Sequence, residues 1–423
     1  MKSIRTFLSF LAALSLRVIA AILAGTVLLT LVYCIPTETM EQHLAESVPG
    51  LSAEGSMPEL FSWCTSFLDN QTDAVMLSHA AHSTEESPLV QAMSAVRHHM
   101  QGYADVDSLA AHYLDGHSFD EDIPYYQYWH GYLVFLKPLL LVTTYQGIRI
   151  LNAAVQALLL FLLVWLMFRK GLKHCILPYL ICVAFLMPVT LAMSLQFSTC
   201  YYIMTFGSIA VLLAKEHLDS KDACIFLFIG VAAAFFDFLT YPIATLGIPA
   251  VFYFCLRKET SIRDTFCRGV RICFSWAFGY GIMWAGKWLV GSLATGINVL
   301  STATSKISER TSASILQGDS IAVSPLTALS ANIRFFLKTP AVIIFAVYVL
   351  VMLILLVLMW KKKGLTAVNT VQVIFPFVIL ACLPPAWYLV TVNHSVIHYW
   401  FTCKALVVSA FAGMCALSAL RSK

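Results

Sequence analysis

Apolar runs of membrane-spanning length recur along most of this chain after Ala153. A helix needs about 20 apolar residues to cross the hydrocarbon core of a bilayer. Of the 423 residues, 59% are hydrophobic and only 12% are charged, and the mean hydropathy is +0.78. Soluble globular domains contain roughly 25% charged residues, about twice this share. We therefore predict an all-α polytopic membrane protein with about ten transmembrane helices.

The composition argues against several other kinds of site. The twelve cysteines lie mostly inside the apolar runs and include no CxxC pair. They are expected to behave as small apolar residues, so we predict neither a disulfide framework nor a zinc site built on thiolates. The sequence has no glycine-rich nucleotide loop and no basic nucleic-acid patch, and we expect no nucleic-acid partner.

Segregation of the basic residues predicts the topology. Residues 1–34 combine Lys2, Arg5 and Arg17 with an apolar run, which we interpret as an uncleaved transmembrane signal anchor with a cytoplasmic start. Counting the spans places both termini in the cytoplasm and agrees broadly with the positive-inside rule. The clusters placed on the cytoplasmic side are Arg169/Lys170/Lys173, Lys215/Lys221, Arg257 to Arg271, Lys361/Lys362/Lys363 and Arg421/Lys423. The exceptions, in a long predicted outer loop, are Lys306, Arg310 and Arg334.

Residues 35–131 are predicted to form a large acidic loop outside the membrane. They include fifteen Asp and Glu against a single basic residue, Arg97, and eight of the twelve histidines. Two further histidines, His394 and His398, fall in another predicted outer loop. The predicted inner loops are short and merely basic. Any chemistry is therefore expected on the outer face.

Residues 132–423 are predicted to form a multi-span membrane domain that begins with an interfacial helix. The apolar run near residues 132–145 follows a group of aromatic residues and contains Lys137 and Pro138. This run is too short to cross comfortably with a charge at its centre. We interpret it as an interfacial or re-entrant helix.

Four segments of the chain resemble a known group of membrane enzymes. They are YWHGYLVFLKPLLLVTTYQGIRILN (128–152), FFDFLTYPIATLGIP (235–249), MWAGKW (283–288) and NHSVIHYWF (393–401). They resemble largely uncharacterised bacterial polytopic proteins of the GT-C type of membrane glycosyltransferase, and the resemblance spans nearly the whole chain. Many GT-C enzymes carry an acidic pair directly after the first span, where this chain has the single Glu38.

The resemblance implies a GT-C-like fold in the bacterial plasma membrane. It also implies transfer of a sugar on the outer face, from a polyprenyl-phosphate-linked donor to a glycan or lipid acceptor. An Asp or Glu of the first large outer loop would act as the base.

Three carboxylates are the candidate catalytic residues. Asp69 and Asp73 are four residues apart, so a helix places both on one face, where one can bind a cation or the acceptor hydroxyl while the other deprotonates it. Asp237 lies alone at the outer end of two apolar spans, where an isolated charge indicates function. The alternatives are a helix N-cap in the first case and a turn or helix cap in the second.

A divalent cation is the one cofactor that the sequence suggests, and its identity stays open. Residues 120–124, DEDIP, offer oxygen ligands, although a solvated turn is the favoured interpretation. His394 and His398 are one helical turn apart, but no HExxH glutamate or nearby thiolate completes a site. We therefore do not expect a histidine zinc centre at this pair.

Basic residues near the outer half of the membrane are candidate ligands of the donor phosphate. Lys137, Arg149 and Lys287 would offset the phosphate charge and stabilise the leaving group. Snorkelling to the headgroups is the alternative for the lysines. Arg149 is favoured as a phosphate ligand because a guanidinium can bind two oxygens at once.

Polar residues at the outer ends of the spans are candidate ligands of the sugar. Asn393, His394 and His398 supply hydrogen-bonding groups, and Tyr399 or Trp400 can stack on a pyranose face. His130, at the end of the acidic loop, is included among the donor-binding or substrate-binding candidates. The alternative for the aromatic residues is an interfacial belt at headgroup level.

Two other functions stay open from the sequence. A transporter or flippase for a lipid-linked or anionic solute would have inverted repeats and paired charges near the middle of the membrane, whereas here we find no such repeat and the polar residues gather at one face. A non-catalytic membrane assembly protein is the other alternative, because no motif in the sequence proves chemistry.

Overall fold

The computed structural model describes residues 2–257, 261–317, 319–363 and 367–421. The protein is 78% helical, and its few strands form two antiparallel two-stranded sheets. The predicted helical fold class is confirmed to this extent.

A long N-terminal helix leads into a segment of short elements. These elements are α1 (Lys2–Val32), α2 (Glu38–Glu54), α3 (Asn70–Ala81), α4 (Pro88–Ser94), β1 (Arg97–His99), α5 (Asp105–Tyr113) and β2 (Glu121–Ile123). Strand β1 pairs with β2, and His98 lies opposite Asp122. We call residues 35–131 the outer segment, after the side of the membrane that the sequence predicts for them.

Side-chain caps explain where two of the short helices, α3 and α4, begin. Asp69 accepts a hydrogen bond from the Thr72 amide at 2.9 Å and so starts α3. Ser87 accepts from the Val90 amide at 3.5 Å and is followed by Pro88, which is suited to the first position of α4.

The rest of the chain consists mainly of apolar helices. In chain order they are α6 (Leu133–Val142), α7 (Tyr145–Arg169), α8 (Ile176–Phe185), α9 (Pro188–Met193), α10 (Leu195–Leu213), α11 (Leu218–Phe236), α12 (Ile243–Leu256), α13 (Ile262–Thr295) and α14 (Val299–Thr311), then strands β3 (Ser314–Gln317) and β4 (Asp319–Ala322), then α15 (Pro325–Phe336), α16 (Ala341–Lys363), α17 (Ala367–Ala381), α18 (Leu383–Val390), α19 (Val392–Ile397), α20 (Tyr399–Thr402) and α21 (Val407–Arg421). Single 3-10 turns occur at Lys173–Cys175, Lys215–His217 and Cys403–Leu406.

Six helical stretches of the described residues are long and apolar enough to cross a membrane. They are Phe7–Val32, Tyr145–Arg169, Leu195–Leu213, Ala341–Leu358, Thr370–Val390 and Tyr399–Arg421. This result indicates a membrane protein. The predicted count of about ten spans is not confirmed, because three other apolar stretches, Leu133–Val142, Lys173–Phe185 and Ile243–Leu256, are only 10–17 residues long.

Helices α11 and α13 pack with their backbones in close contact. A Cβ atom at Gly230 would lie 2.1 Å from the carbonyl oxygen of Trp276, and one at Gly279 would lie 2.3 Å from that of Leu227. Small residues permit this approach, and close packing is a main source of helix association in a membrane. The two glycines therefore determine the distance between these helices.

Replacing Gly279 by Ala is expected to push α11 away from α13 and to destabilise the protein by about 1–3 kcal/mol, as overpacking commonly does. The measurement is the thermal midpoint of the purified protein in detergent. Gly281→Ala is the matched control, because it lies in the same helix and a Cβ atom there would meet nothing within 4 Å. Equal midpoints for the two variants would contradict the close packing.

Candidate functional site

The four segments that carry the family resemblance meet at one place. The Gly131 amide donates a hydrogen bond to the Phe235 carbonyl at 2.9 Å. The Trp129 indole donates to the Met283 carbonyl at 2.8 Å. His394 Nε2 donates to the Leu239 carbonyl at 2.8 Å. Chain segments that are more than 100 residues apart in sequence are thereby joined through backbone carbonyls.

Asp237 occupies the turn between α11 and α12. Its Oδ2 accepts a hydrogen bond from the Thr240 amide at 2.9 Å, so the residue does cap its own turn. Its Oδ1 is buried and has no hydrogen-bond partner among the described residues. The side chain is only 3% exposed, and burial raises the pKa of the Asp237 carboxyl. One oxygen thus serves the turn. The other, which we call free, has no N–H or O–H partner among the described residues, although the Cys200 thiol also interacts with the carboxylate.

The C-terminal histidines lie against this turn. Because a carbonyl can only accept, the bond to Leu239 means that His394 carries its proton on Nε2, which leaves Nδ1 as an acceptor. Arg310 donates to His398 Nε2 at 3.0 Å, so His398 carries its proton on Nδ1. Neither Nδ1 atom has a hydrogen-bond partner in the described part of the chain. The imidazole rings are 4.8 Å apart.

We call Asp237, Arg310, His394 and His398 the outer polar cluster. Tyr128 interacts electrostatically with both Asp237 and Arg310, so both charged groups lie near one tyrosine. The cluster presents a free carboxylate oxygen, a free imidazole acceptor and a free imidazole donor. Buried polar atoms are almost always hydrogen-bonded, so this group of unpaired atoms indicates a site for water or a polar ligand.

Asn393 holds the neighbouring loop to this site. Its amide nitrogen donates to the Ser314 carbonyl at 2.7 Å, and its side-chain oxygen is buried without a partner among the described residues. Asn393 is 2% exposed. It therefore joins α19 to the β3 strand beside the cluster.

Asp73 is fully occupied by hydrogen bonds. Tyr145 and the Leu195 amide donate to Oδ2 at 2.5 and 2.8 Å, and the Gln196 amide and Ser194 hydroxyl donate to Oδ1 at 3.1 and 3.4 Å. Burial raises the pKa of Asp73 to about 6. The residue is a carboxylate at neutral pH and caps the amino end of α10, where the helix dipole favours negative charge.

Asp69 connects the outer segment to the C-terminal segment. Its Oδ1 caps α3, and its Oδ2 accepts from the Trp400 indole at 3.3 Å. Burial raises the pKa of Asp69, partly offset by the hydrogen bonds from Thr72 and Trp400. Asp69 is thus the N-cap that the sequence left as an alternative, with an additional contact to residue 400.

Arg149 does not present a free guanidinium. Its two terminal nitrogens contact the two carboxylate oxygens of Glu54 at 2.7 and 2.9 Å, and it donates also to Asn70 Oδ1 and to the Met193 carbonyl. Burial would raise the pKa of Glu54, but the hydrogen bonds from Arg149 and Asn70 hold it below its usual value. The bidentate geometry predicted for a phosphate is here satisfied by a glutamate.

The two candidate lysines also donate hydrogen bonds to carbonyl groups inside the protein. Lys137, 1% exposed, donates to the Ala80 carbonyl at 2.8 Å. Lys287, fully buried, donates to the Met93 carbonyl at 2.8 Å. The accepting carbonyls belong to the ends of α3 and α4. Both lysines therefore dock the outer segment onto the apolar helices, and the snorkelling alternative is excluded because neither ammonium group reaches the surface.

His130 belongs to a second buried group beside the first. Its Nε2 donates to the Tyr125 carbonyl at 2.8 Å, and its Nδ1 lies 3.2 Å from the Tyr132 hydroxyl. The same hydroxyl contacts His79 Nδ1 at 3.1 Å. His130 has a positive φ of 56°, which is unusual for a residue with a side chain. His130 directly precedes Gly131, whose amide donates to the Phe235 carbonyl.

An apolar groove begins directly below these residues. It has a volume of about 780 Å³ and is lined among others by Met76, Tyr132, Phe135, Ser198, Phe206 and Phe236. Phe135 and Phe206 are 61% and 55% exposed. Exposed apolar side chains of this kind face lipid in a membrane protein. The groove reaches Phe236, the residue before Asp237, and its lining includes no residue of the outer polar cluster.

Sequence reasoning missed several residues of this site. In the sequence, Arg310 stands out only as an exception to the positive-inside rule. A basic residue in a predicted outer loop is therefore the one feature that could have indicated its role. Tyr128, Tyr132 and His79 carried no separate signal, because aromatic residues and histidines are numerous in this region. Lys404, which donates from full burial to the Leu186 carbonyl at 3.0 Å, was also missed.

Of the predicted residues, the structure brings together Asp237, Asn393, His394 and His398, with His130 close to them through Phe238. Asp73, Arg149, Lys137 and Lys287 lie in separate contacts that fix the outer segment. Comparison of the chain with protein-family models, with curated proteins and with solved structures finds no match.

Proposed function

We propose that this protein is a GT-C-like glycosyltransferase of the bacterial plasma membrane, with both termini in the cytoplasm. It moves a sugar from a polyprenyl-phosphate-linked donor to a glycan or lipid acceptor outside the cell. The observation that carries the proposal is the outer polar cluster, which combines a free carboxylate oxygen, two histidines and an arginine, together with an apolar groove that reaches the residue before Asp237.

Asp237 is the proposed base. Its free Oδ1 accepts the proton of the acceptor hydroxyl as that oxygen attacks the anomeric carbon of the donor sugar. The bond from that carbon to the phosphate oxygen breaks, and its electron pair leaves with the polyprenyl phosphate. Burial strengthens the base, because a carboxylate that is poorly solvated takes up a proton more readily.

Arg310 is the proposed phosphate ligand, in place of Arg149. It is the guanidinium that contacts the outer polar cluster, and it keeps further N–H groups beyond the one bound to His398. A cation here would stabilise the charge that develops on the leaving phosphate. His398 Nδ1–H can donate to a phosphate or sugar oxygen, and His394 Nδ1 can accept from a sugar hydroxyl, with Asn393 beside them.

The polyprenyl chain is proposed to occupy the apolar groove. Phe236 lines the groove and precedes Asp237 in the chain, so a donor with its tail in the groove carries its phosphate towards the cluster. Asp69, Asp73, Arg149, Lys137 and Lys287 position the outer segment over this space. Their buried contacts hold the outer segment in a fixed position. Catalysis that depends on positioning the reactants requires such a fixed geometry.

The test is to remove the protein from its native cell and to analyse the lipid extract by mass spectrometry. A polyprenyl-phosphate-linked sugar should accumulate in the outer leaflet, and a plasmid copy of the wild-type gene should reverse this. Accumulation in the inner leaflet, measured with a membrane-impermeant sugar-modifying reagent, would favour the flippase alternative. Unchanged lipid-linked sugars would contradict both functions and favour an assembly role.

A further inference from the structure

A group of potential metal ligands lies in the outer segment, apart from the outer polar cluster. It consists of His82, His98 and Asp122, whose ligand atoms all lie within 4.8 Å of one another. The β1–β2 register places His98 directly opposite Asp122, and His98 Nδ1 lies 2.7 Å from Asp122 Oδ1. His82 immediately follows α3. The imidazole rings of His82 and His98 are 4.0 Å apart.

His82 is the group that lacks a partner. It is 5% exposed, and both of its ring nitrogens are buried without a hydrogen-bond partner in the part of the chain that the structure describes. A buried imidazole normally donates from one nitrogen and accepts at the other. The two unpaired nitrogens of His82 therefore call for a ligand beside the ring.

Space for such a ligand exists at the same place. A cavity of about 170 Å³ is lined by His82, His98 and His112, and by Glu41 and Phe119. His112 and His98 both stack on the Phe119 ring, at 4.0 and 5.2 Å. The cavity thus collects three imidazoles and a carboxylate in a volume that a hydrated ion can enter.

We propose that His82, His98 and Asp122 bind a divalent transition-metal ion, with Zn²⁺ as the best match to the donor set. Two imidazoles and one carboxylate suit Zn²⁺ and its neighbours, whereas Mg²⁺ and Ca²⁺ prefer sites built from oxygen. Three protein ligands leave a fourth tetrahedral position, which opens to the cavity and would hold water. Glu41 and His112 line the same cavity.

The distances are compatible with binding after a small movement. Ligand atoms on a tetrahedral zinc ion lie about 3.3 Å apart, given bonds of about 2.0 Å. The side chains of His98 and Asp122 are 46% and 52% exposed, so they can rotate inwards without disturbing the core. The ion would link the end of α3 to the β1–β2 sheet.

The test uses full-length protein, stripped with a chelator and then dialysed against Zn²⁺ or Co²⁺ alone. Wild-type protein should retain one Zn²⁺ per chain by elemental mass spectrometry, and Co²⁺ should give the visible absorption of a tetrahedral site. His98→Ala should weaken binding by at least about tenfold. Asp122→Asn should do the same, and both residues are exposed enough for the variants to fold.

Two controls separate this site from other metal ligands. His117→Ala changes an exposed histidine of the same segment and should leave the metal content unchanged. His174, Cys175 and Cys255 form another possible ligand group, so Cys175→Ser should also leave the metal in place. Loss of the metal in Cys175→Ser, its retention in His98→Ala, or its absence from the wild type would each overturn the proposal.

Discussion

Replacing Asp237 by Asn is expected to lower the rate of sugar transfer about 10²- to 10⁴-fold, the usual contribution of a general base. Asn keeps an oxygen that accepts from the Thr240 amide at the same place, so the turn is retained while the free carboxylate oxygen is lost. The measurement is the initial rate of transfer from a polyprenyl-phosphate-linked sugar by the protein in vesicles. An unchanged thermal midpoint would show that the fold is intact.

Asp107→Asn is the control for this variant, because Asp107 is an exposed carboxylate of the outer segment. It should transfer sugar at the wild-type rate. The wild-type rate should also decrease as the pH is lowered to the raised pKa of Asp237, since protonation removes the base. The Asn variant should lack this dependence. Wild-type transfer by Asp237→Asn would assign the base elsewhere, with Asp69 as the next candidate.

Replacing Arg149 by Met is expected to destabilise the protein by about 3 kcal/mol. The substitution leaves Glu54 without its bidentate partner and Asn70 and the Met193 carbonyl without a donor, and breaking a buried ion pair typically costs about 3–5 kcal/mol. The lower figure applies because the Glu54 side chain is 31% exposed. Thermal unfolding in detergent measures the effect.

Arg334→Met is the matched control, since Arg334 is exposed and its loss should change stability by less than about 0.5 kcal/mol. A double variant that also carries Glu54→Met should be more stable than Arg149→Met alone, because no unpaired charge is left buried. If Arg149 instead binds the donor phosphate, its replacement would weaken donor binding and leave stability nearly unchanged.

Local sequence patterns accounted for the elements of the fold. The spans of about 20 apolar residues appear as long helices, because an unpaired backbone in lipid is so unfavourable that helix formation follows from the apolar run itself. The predicted count of ten spans is not confirmed, because stretches such as Ile243–Leu256 are apolar but short. The apolar composition of a helix can be read from the sequence. Its length, however, depends on where the neighbouring helices begin and end.

The candidate site was predicted in part. The sequence identifies Asp237, His394 and His398 because placing a polar group at the end of an apolar run is energetically unfavourable unless the group is paired or functional. Arg149, Lys137 and Lys287 are predicted phosphate ligands because of their charge and their position near the outer half of the membrane, and Arg149 also because a guanidinium can bind two oxygens. The structure gives each of them an internal acceptor, Glu54 for the arginine and main-chain carbonyls for the lysines.

The amino-acid pattern is enough to predict a helical membrane protein whose polar side chains gather at the ends of apolar helices. Which of those side chains have hydrogen-bond partners and which do not depends on how the helices pack. Asp73 and Asp237 look alike in sequence, yet four donors surround the first and one oxygen of the second has none among the described residues. Helix formation depends on neighbours in the chain, whereas the partners of a buried charge come from residues such as Leu195, Arg310 and Trp400 that are far away in sequence and near only after packing.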